Sequence, residues 1–169
     1  MPLEALMAQM AQQAAAIEAL AGGISAENAR WKPGPEDWSI LEVVNHLADE
    51  EIEDFRAHLN HILYQRDQPW PPIDPQGWVT QRRYNERELE PSLTRFLQAR
   101  RESLEWLARL PAPDWQAAIQ APWGALHAGD MLAAWAAHDL LHLRQLVELR
   151  YAYAARQVAP YSVTYAGNW

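Results

Sequence analysis

Apolar positions recurring every three or four residues mark the first of several helices. Leu3, Leu6, Met7, Met10, Ile17 and Leu20 share this spacing in "MPLEALMAQMAQQAAAIEAL", which predicts a helix from about Pro2 to Ala21. Gly22 and Gly23 stop it, and a loop rich in turn formers follows, "ISAENARWKPGPEDW". The second helix has the best-marked start. Ser39 and Glu42 form an S-x-x-E capping box, in which each side chain satisfies a backbone donor that the first turn leaves orphaned. Trp38 before the cap and Val43 after it fit a hydrophobic staple, and the helix continues to about Tyr64.

Prolines exclude regular helix from residues 65–78, "QRDQPWPPIDPQGW". A third helix starts near Pro91, since proline is tolerated in a first turn, and ends at about Leu110 before Pro111 and Pro113. Residues 79–90 have room for a separate short helix. A fourth begins near Gly129 or Asp130 and passes Leu149, and no convincing strand ladder is seen. Four long helices with a long connection between the second and third predict an all-α fold, a four-helix bundle over residues 1–153. The aromatic tail, residues 154–169, is expected to be extended and to dock on the bundle or on a partner chain.

Composition narrows the functional classes. A chain of 169 residues suits one domain with a real core. A net charge of −8 argues against a nucleic-acid binder, which needs a basic patch for phosphates. The pairs Arg82–Arg83 and Arg100–Arg101 read as solvated helix faces. The absence of cysteine excludes disulfides, a protein thiolate nucleophile and Cys-based zinc sites. No apolar run approaches a membrane span, and the N-terminus lacks a basic region before its apolar residues, so a soluble cytoplasmic protein is expected. Of nine tryptophans, Trp70 and Trp78 fall in the Pro-rich loop, where aromatics pin irregular segments to a core.

The candidate chemistry lies in "AAHDLLHLRQL". His138 and His142 are one helical turn apart and share a face with Met131, Trp135, Gln145 and Leu149. Buried imidazoles need partners for their ring nitrogens, and a divalent metal would supply one to each ring. Spacing alone leaves two readings open, a ligand pair or two core residues. A third ligand must come from elsewhere. His46 falls at the flank of its helix's apolar side, His58 and His61 read as surface or boundary residues, and His127 as a loop or capping residue. The acidic run Asp49, Glu50, Glu51, Glu53 and Asp54 reads first as a solvated face. Glu50 points within about 40° of His46, which makes it a candidate to orient a ligand ring or handle a proton. Asp139 has a similar claim beside His138, and Gln145 is a candidate to orient water or substrate.

Three segments resemble the DinB-like superfamily. "WKPGPEDWSILEVVNHLADEE" is similar to its entry into the second helix, with a histidine seven residues after the serine. "AAHDLLHLRQL" is similar to its fourth-helix signature, and the Pro-rich loop with "FLQARRESLEWLARLPAPDW" also resembles the family. The resemblance implies an up-down-down-up bundle, often dimeric, with a metal held by one histidine of the second helix and two of the fourth: here His46, His138 and His142.

It also implies Zn²⁺, Ni²⁺ or Fe²⁺ in a site with an open coordination position, as catalytic centres keep. Known activities of the family point to transfer chemistry with a low-molecular-weight thiol, which in a chain without cysteine must arrive from outside. Hydrolysis with Glu50 as base is the alternative, and a non-catalytic metal-binding or interaction protein is a third reading.

Overall fold

The computed structural model describes residues 1–167. Trp169, counted above with the aromatic tail, lies outside them. Helix α1 spans Leu3–Ala21, and a short α2 spans Ala26–Arg30 in the turn-rich loop. The second long helix opens with α3, Ile40–Asp49, behind the capping box: Ser39 Oγ accepts from the Glu42 N–H, and Glu42 returns a carboxylate to the Ser39 N–H. It widens to a π-helical turn over Glu50–Phe55 and closes as α4, Arg56–Tyr64. Helices α5, Pro75–Gln81, and α6, Leu89–Ala108, follow. Strands β1, Ala118–Ala121, and β2, Gly124–His127, form an antiparallel hairpin ahead of α7, Ala128–Gln157.

Cross-helix contacts give the direction of each long helix. Asn45 bonds Ser92, Glu51 takes Arg100 and Arg56 approaches Glu102. Numbers rise together, so the second and third long helices run parallel. Arg100 reaches the Met10 carbonyl while Gly22 sits beside Leu93, so α1 opposes α6. Trp135 bonds Glu51 while the His142 ring meets His46, so α7 opposes the second helix. The result is the up-down-down-up bundle.

The apolar core falls into two clusters. One gathers Ile17, Leu41, Val44, Phe96 and Leu146; the other gathers Met10, Leu59, Ile62, Leu107, Leu132 and Trp135. Between them lies a buried polar layer. Arg100 bonds Glu51 through Nε and Nη2 at 2.8 Å each and Asp139 at 2.6 and 3.0 Å, while Trp135 Nε1 donates to Glu51.

This layer corrects two sequence readings. Arg100 is not a solvated residue, and the acidic run is not a solvated face. Asp49, Glu50, Glu51 and Asp54 are all buried. Glu51 lies one turn after Leu47, on the apolar side of the helix, and enters the core where Arg100 meets it, while Asp49 is buried against Tyr84 and Arg82. Arg82 is also committed, to Asp49 and Glu53, whereas Arg83 and Arg101 meet only exposed neighbours.

Three further expectations change. Residues 75–78 are helical after all, because Pro75 occupies the first turn and Asp74 caps the Gly77 N–H. The 118–127 hairpin is too short and alanine-rich to show a strand pattern, and its turn ends at Gly124, with φ +130°. His58 and His61 are buried, since the Pro-rich loop folds back over them. Trp70 stacks on His58 at 4.0 Å and meets His61 edge-on, and Pro71 O bonds His58 Nε2. Trp78 is buried as anticipated. In the tail, Tyr161 and Tyr165 stand exposed. Among the described residues no helix is long and apolar enough to cross a membrane.

Candidate metal centre

Helix α3 and helix α7 bring three histidines to one point. One ring nitrogen from each of His46, His138 and His142 lies within 4.8 Å of the others. His46 comes from the flank of α3, the position helical geometry made doubtful. In the bundle that flank faces α7, and the rings of His46 and His142 are 4.7 Å apart. His138 Nε2 and His142 Nε2 approach to 3.1 Å. Nitrogens bound tetrahedrally at about 2.0–2.1 Å from zinc sit roughly 3.4 Å from one another, so this pair already has the spacing of ligands to one ion.

Gln145 defines the His142 tautomer. Its Oε1 lies 2.9 Å from His142 Nδ1, which therefore donates and leaves Nε2 with its lone pair toward the cluster. The Gln145→Leu variant is expected to bind zinc about 10-fold more weakly by chelator competition, with an unchanged far-ultraviolet spectrum.

Two buried atoms aimed into this space have no partner. His46 Nδ1 and Glu50 Oε1 are 3.9 Å apart, too far for a hydrogen bond. Leaving such groups unsatisfied costs about 1–3 kcal/mol each, and the three-ring cluster, which Glu50 borders without joining, has the donors a cation needs. The donor set therefore fits a divalent metal.

Electrostatics of the three rings agree. Burial, then the charges of His142 and His138, push His46 down to about 2. Burial and His142 push His138 down to about 3, and burial lowers His142 against the opposing Gln145 bond. All three rings are neutral at pH 7, the form that binds a metal. Burial, then Asp54 and Asp49, raises Glu50 to about 9.

Below pH about 6.5 the unfolded chain protonates these histidines while the native protein resists, so stability is lost as pH falls. Glu50 acts oppositely, since between about 4.5 and 9 the native state holds its proton more firmly. Three histidines outweigh one carboxyl, so metal-free protein is expected to melt progressively lower between about pH 6.5 and 5. Calorimetry across that range checks this.

A cleft of about 510 Å³ opens over the cluster, lined by Glu36, Asp37, Trp38, Pro75 and Gln76 as well as the three histidines, Glu50 and Gln145. Sequence reasoning gave none of the first five a place at the site, reading Trp38 as half of a hydrophobic staple and the others as turn or loop residues. The signal was present in the two carboxyls and the indole set immediately before the cap of the helix that carries His46.

One further expectation is redirected, that for Asp139. Asp139 does not orient His138 but receives Arg100. Trp135 and Met131 fill the core, and Trp123 is exposed on the hairpin turn. His127 caps α7 with Asp130, its Nδ1 at 3.0 Å from the carboxylate.

Comparisons with known proteins agree with this architecture. A family model described as the DinB superfamily matches residues 9–146. Among solved structures, YfiT from Bacillus subtilis superposes with a TM-score of 0.78 at 14% identity, covering 90% of this chain and 87% of that one. YfiT is described as a probable metal-dependent hydrolase with an unusual four-helix bundle topology. A comparison with curated proteins finds no match.

Proposed function

This chain belongs to the DinB superfamily, and from that premise we propose a divalent-metal-dependent hydrolase of a small molecule. His46, His138 and His142 hold the ion, and Glu50 handles the proton of the attacking water. The observation that carries this reading is the pair of buried, unpartnered atoms, His46 Nδ1 and Glu50 Oε1, facing the cleft beside two converging imidazoles. The fold shared with YfiT, itself described as a probable metal-dependent hydrolase, supports it.

Zinc, nickel or iron(II) bound there would polarise a substrate carbonyl and lower the pKa of water. The chain's own residues do the rest. Gln145 keeps His142 in the tautomer that presents Nε2. Glu50, hydrogen-bonded to Asp54, holds a proton at pH 7 when no cation is beside it. A cation there lowers its affinity for that proton, leaving a carboxylate able to accept one from water and pass it to the leaving group. Trp38 packs against His46 and walls one side of the cleft.

Thiol-dependent transfer is the second reading, and the cleft has room for a second small molecule. Its lining argues for hydrolysis instead. Three carboxyls and no lysine or arginine line it, a poor receptor for carboxylate-bearing thiols.

The test is purification without an affinity tag, elemental analysis, and a screen of ester and amide substrates with and without added thiols. About one divalent ion per chain and turnover without thiol are expected. Turnover that requires a thiol would replace hydrolysis with transfer, and a metal-free protein inert with added zinc would remove both.

A further inference from the structure

The charge around this cleft has a direction that the hydrolase reading leaves unused. Glu36 and Asp37 stand exposed at its rim. A second cleft of about 310 Å³ shares Asp37, Trp38 and Gln145 with the first and adds Glu148. The two hollows thus adjoin, with Asp37, Trp38 and Gln145 bordering both. No lysine or arginine lines either part. Of the basic residues next to lining positions in the chain, Arg144 lies 3.5 Å from Glu148 and is mostly solvent-exposed, and Lys32 is paired with Glu42.

Acidic residues at a surface do not by themselves make a site. This rim borders the cavity into which the buried, unpartnered His46 Nδ1 and Glu50 Oε1 point. An ion of charge 2+ held by neutral imidazoles would be partly offset by Glu50. Glu36 and Asp37 would stay uncompensated at the entrance, beside an aromatic ring.

An indole flanked by carboxylates suits a positively charged group. The ring attracts a cation to its face, and partial desolvation against the protein strengthens nearby charges.

We propose that the cleft selects substrates bearing an ammonium group, seated between Trp38 and the carboxylates of Glu36 and Asp37, with the hydrolysable bond reaching inward to the histidines. The inward half rests on the hydrolase reading; the preference for a cation does not.

The experiment compares three probes of similar size: acetylcholine, its neutral isostere 3,3-dimethylbutyl acetate, and anionic monoethyl succinate. Affinities are measured by saturation-transfer NMR at low salt, on zinc-loaded and metal-free protein. Acetylcholine is expected to bind about tenfold more tightly than the isostere, and the succinate most weakly. Glu36→Gln/Asp37→Asn is expected to remove most of the preference, and about 0.5 M NaCl to narrow it by screening. Glu4→Gln/Glu18→Gln makes the same charge change on exposed positions of α1 and should leave the preference intact.

Equal binding of the three probes, or a preference that survives in the rim variant, overturns the proposal. Hydrolysis of the neutral ester without a cation preference would sink this inference and spare the hydrolase reading. A cation preference in protein that neither binds zinc nor hydrolyses any probe would do the reverse.

Discussion

His138→Ala protein is expected to come off the column with less than about a tenth of the metal of the unaltered chain, and with hydrolysis lowered at least about 100-fold. Two rings would remain, His46 from α3 and His142 from α7. Two neutral imidazoles form a weak site, and the 3.1 Å pair of nitrogens would be broken. His142→Ala should behave alike and also free Gln145 from its ring partner.

The fold should survive, since the His138 ring lines the cleft and meets the second apolar cluster at its edge, through Phe55. Circular dichroism and elemental analysis on the same sample separate loss of ligand from loss of fold. Metal content unchanged in both variants would refute the ligand assignment.

Arg100→Met should be the most damaging single change away from the cleft. It would strand Glu51 and Asp139, each about 1% exposed, without the guanidinium that now bonds both. Breaking a buried ion network by removing one partner costs about 3–5 kcal/mol. At roughly 2–4 °C per kcal/mol for a chain of this size, melting should fall by about 10 °C. The triple variant Arg100→Met/Glu51→Gln/Asp139→Asn should recover more than half of that loss. The uncompensated charges go, while the amide introduced by Glu51→Gln keeps an acceptor for Trp135 Nε1. A triple variant no more stable than the single one would show that Arg100 acts through packing rather than charge.

These two variants touch the parts of the molecule that differ most in how readable they were. The helices announced themselves through 3.6-residue periodicity, the Ser39 box and the proline stops, because those signals are local. The His138–His142 pair was visible for the same reason. His46 was not, since which flank of a helix meets a neighbour depends on the bundle; resemblance to a family supplied it before the geometry did.

The acidic run misled because five carboxyls in six positions normally mean water. Their partners, Arg100, Arg82, Arg95 and Tyr84, lie 29 or more residues away, so nothing local shows that these carboxyls are paired. His58 and His61 were misjudged similarly, because Trp70 covers them only once the proline-rich loop has folded back.

The parallel course of the second and third long helices has a consequence for how such a protein can diversify. A chain that descends twice must climb back between the two passes, a distance of about 37 Å for a helix spanning 40–64 at 1.5 Å per residue. The returning segment passes the mouth of the cleft, where Pro75 and Gln76 lie. The stretch that connectivity obliges to exist is therefore also a doorway. Its residues can be exchanged, lengthened or trimmed to admit new guests while the ion-holding rings, anchored on other helices, stay as they are.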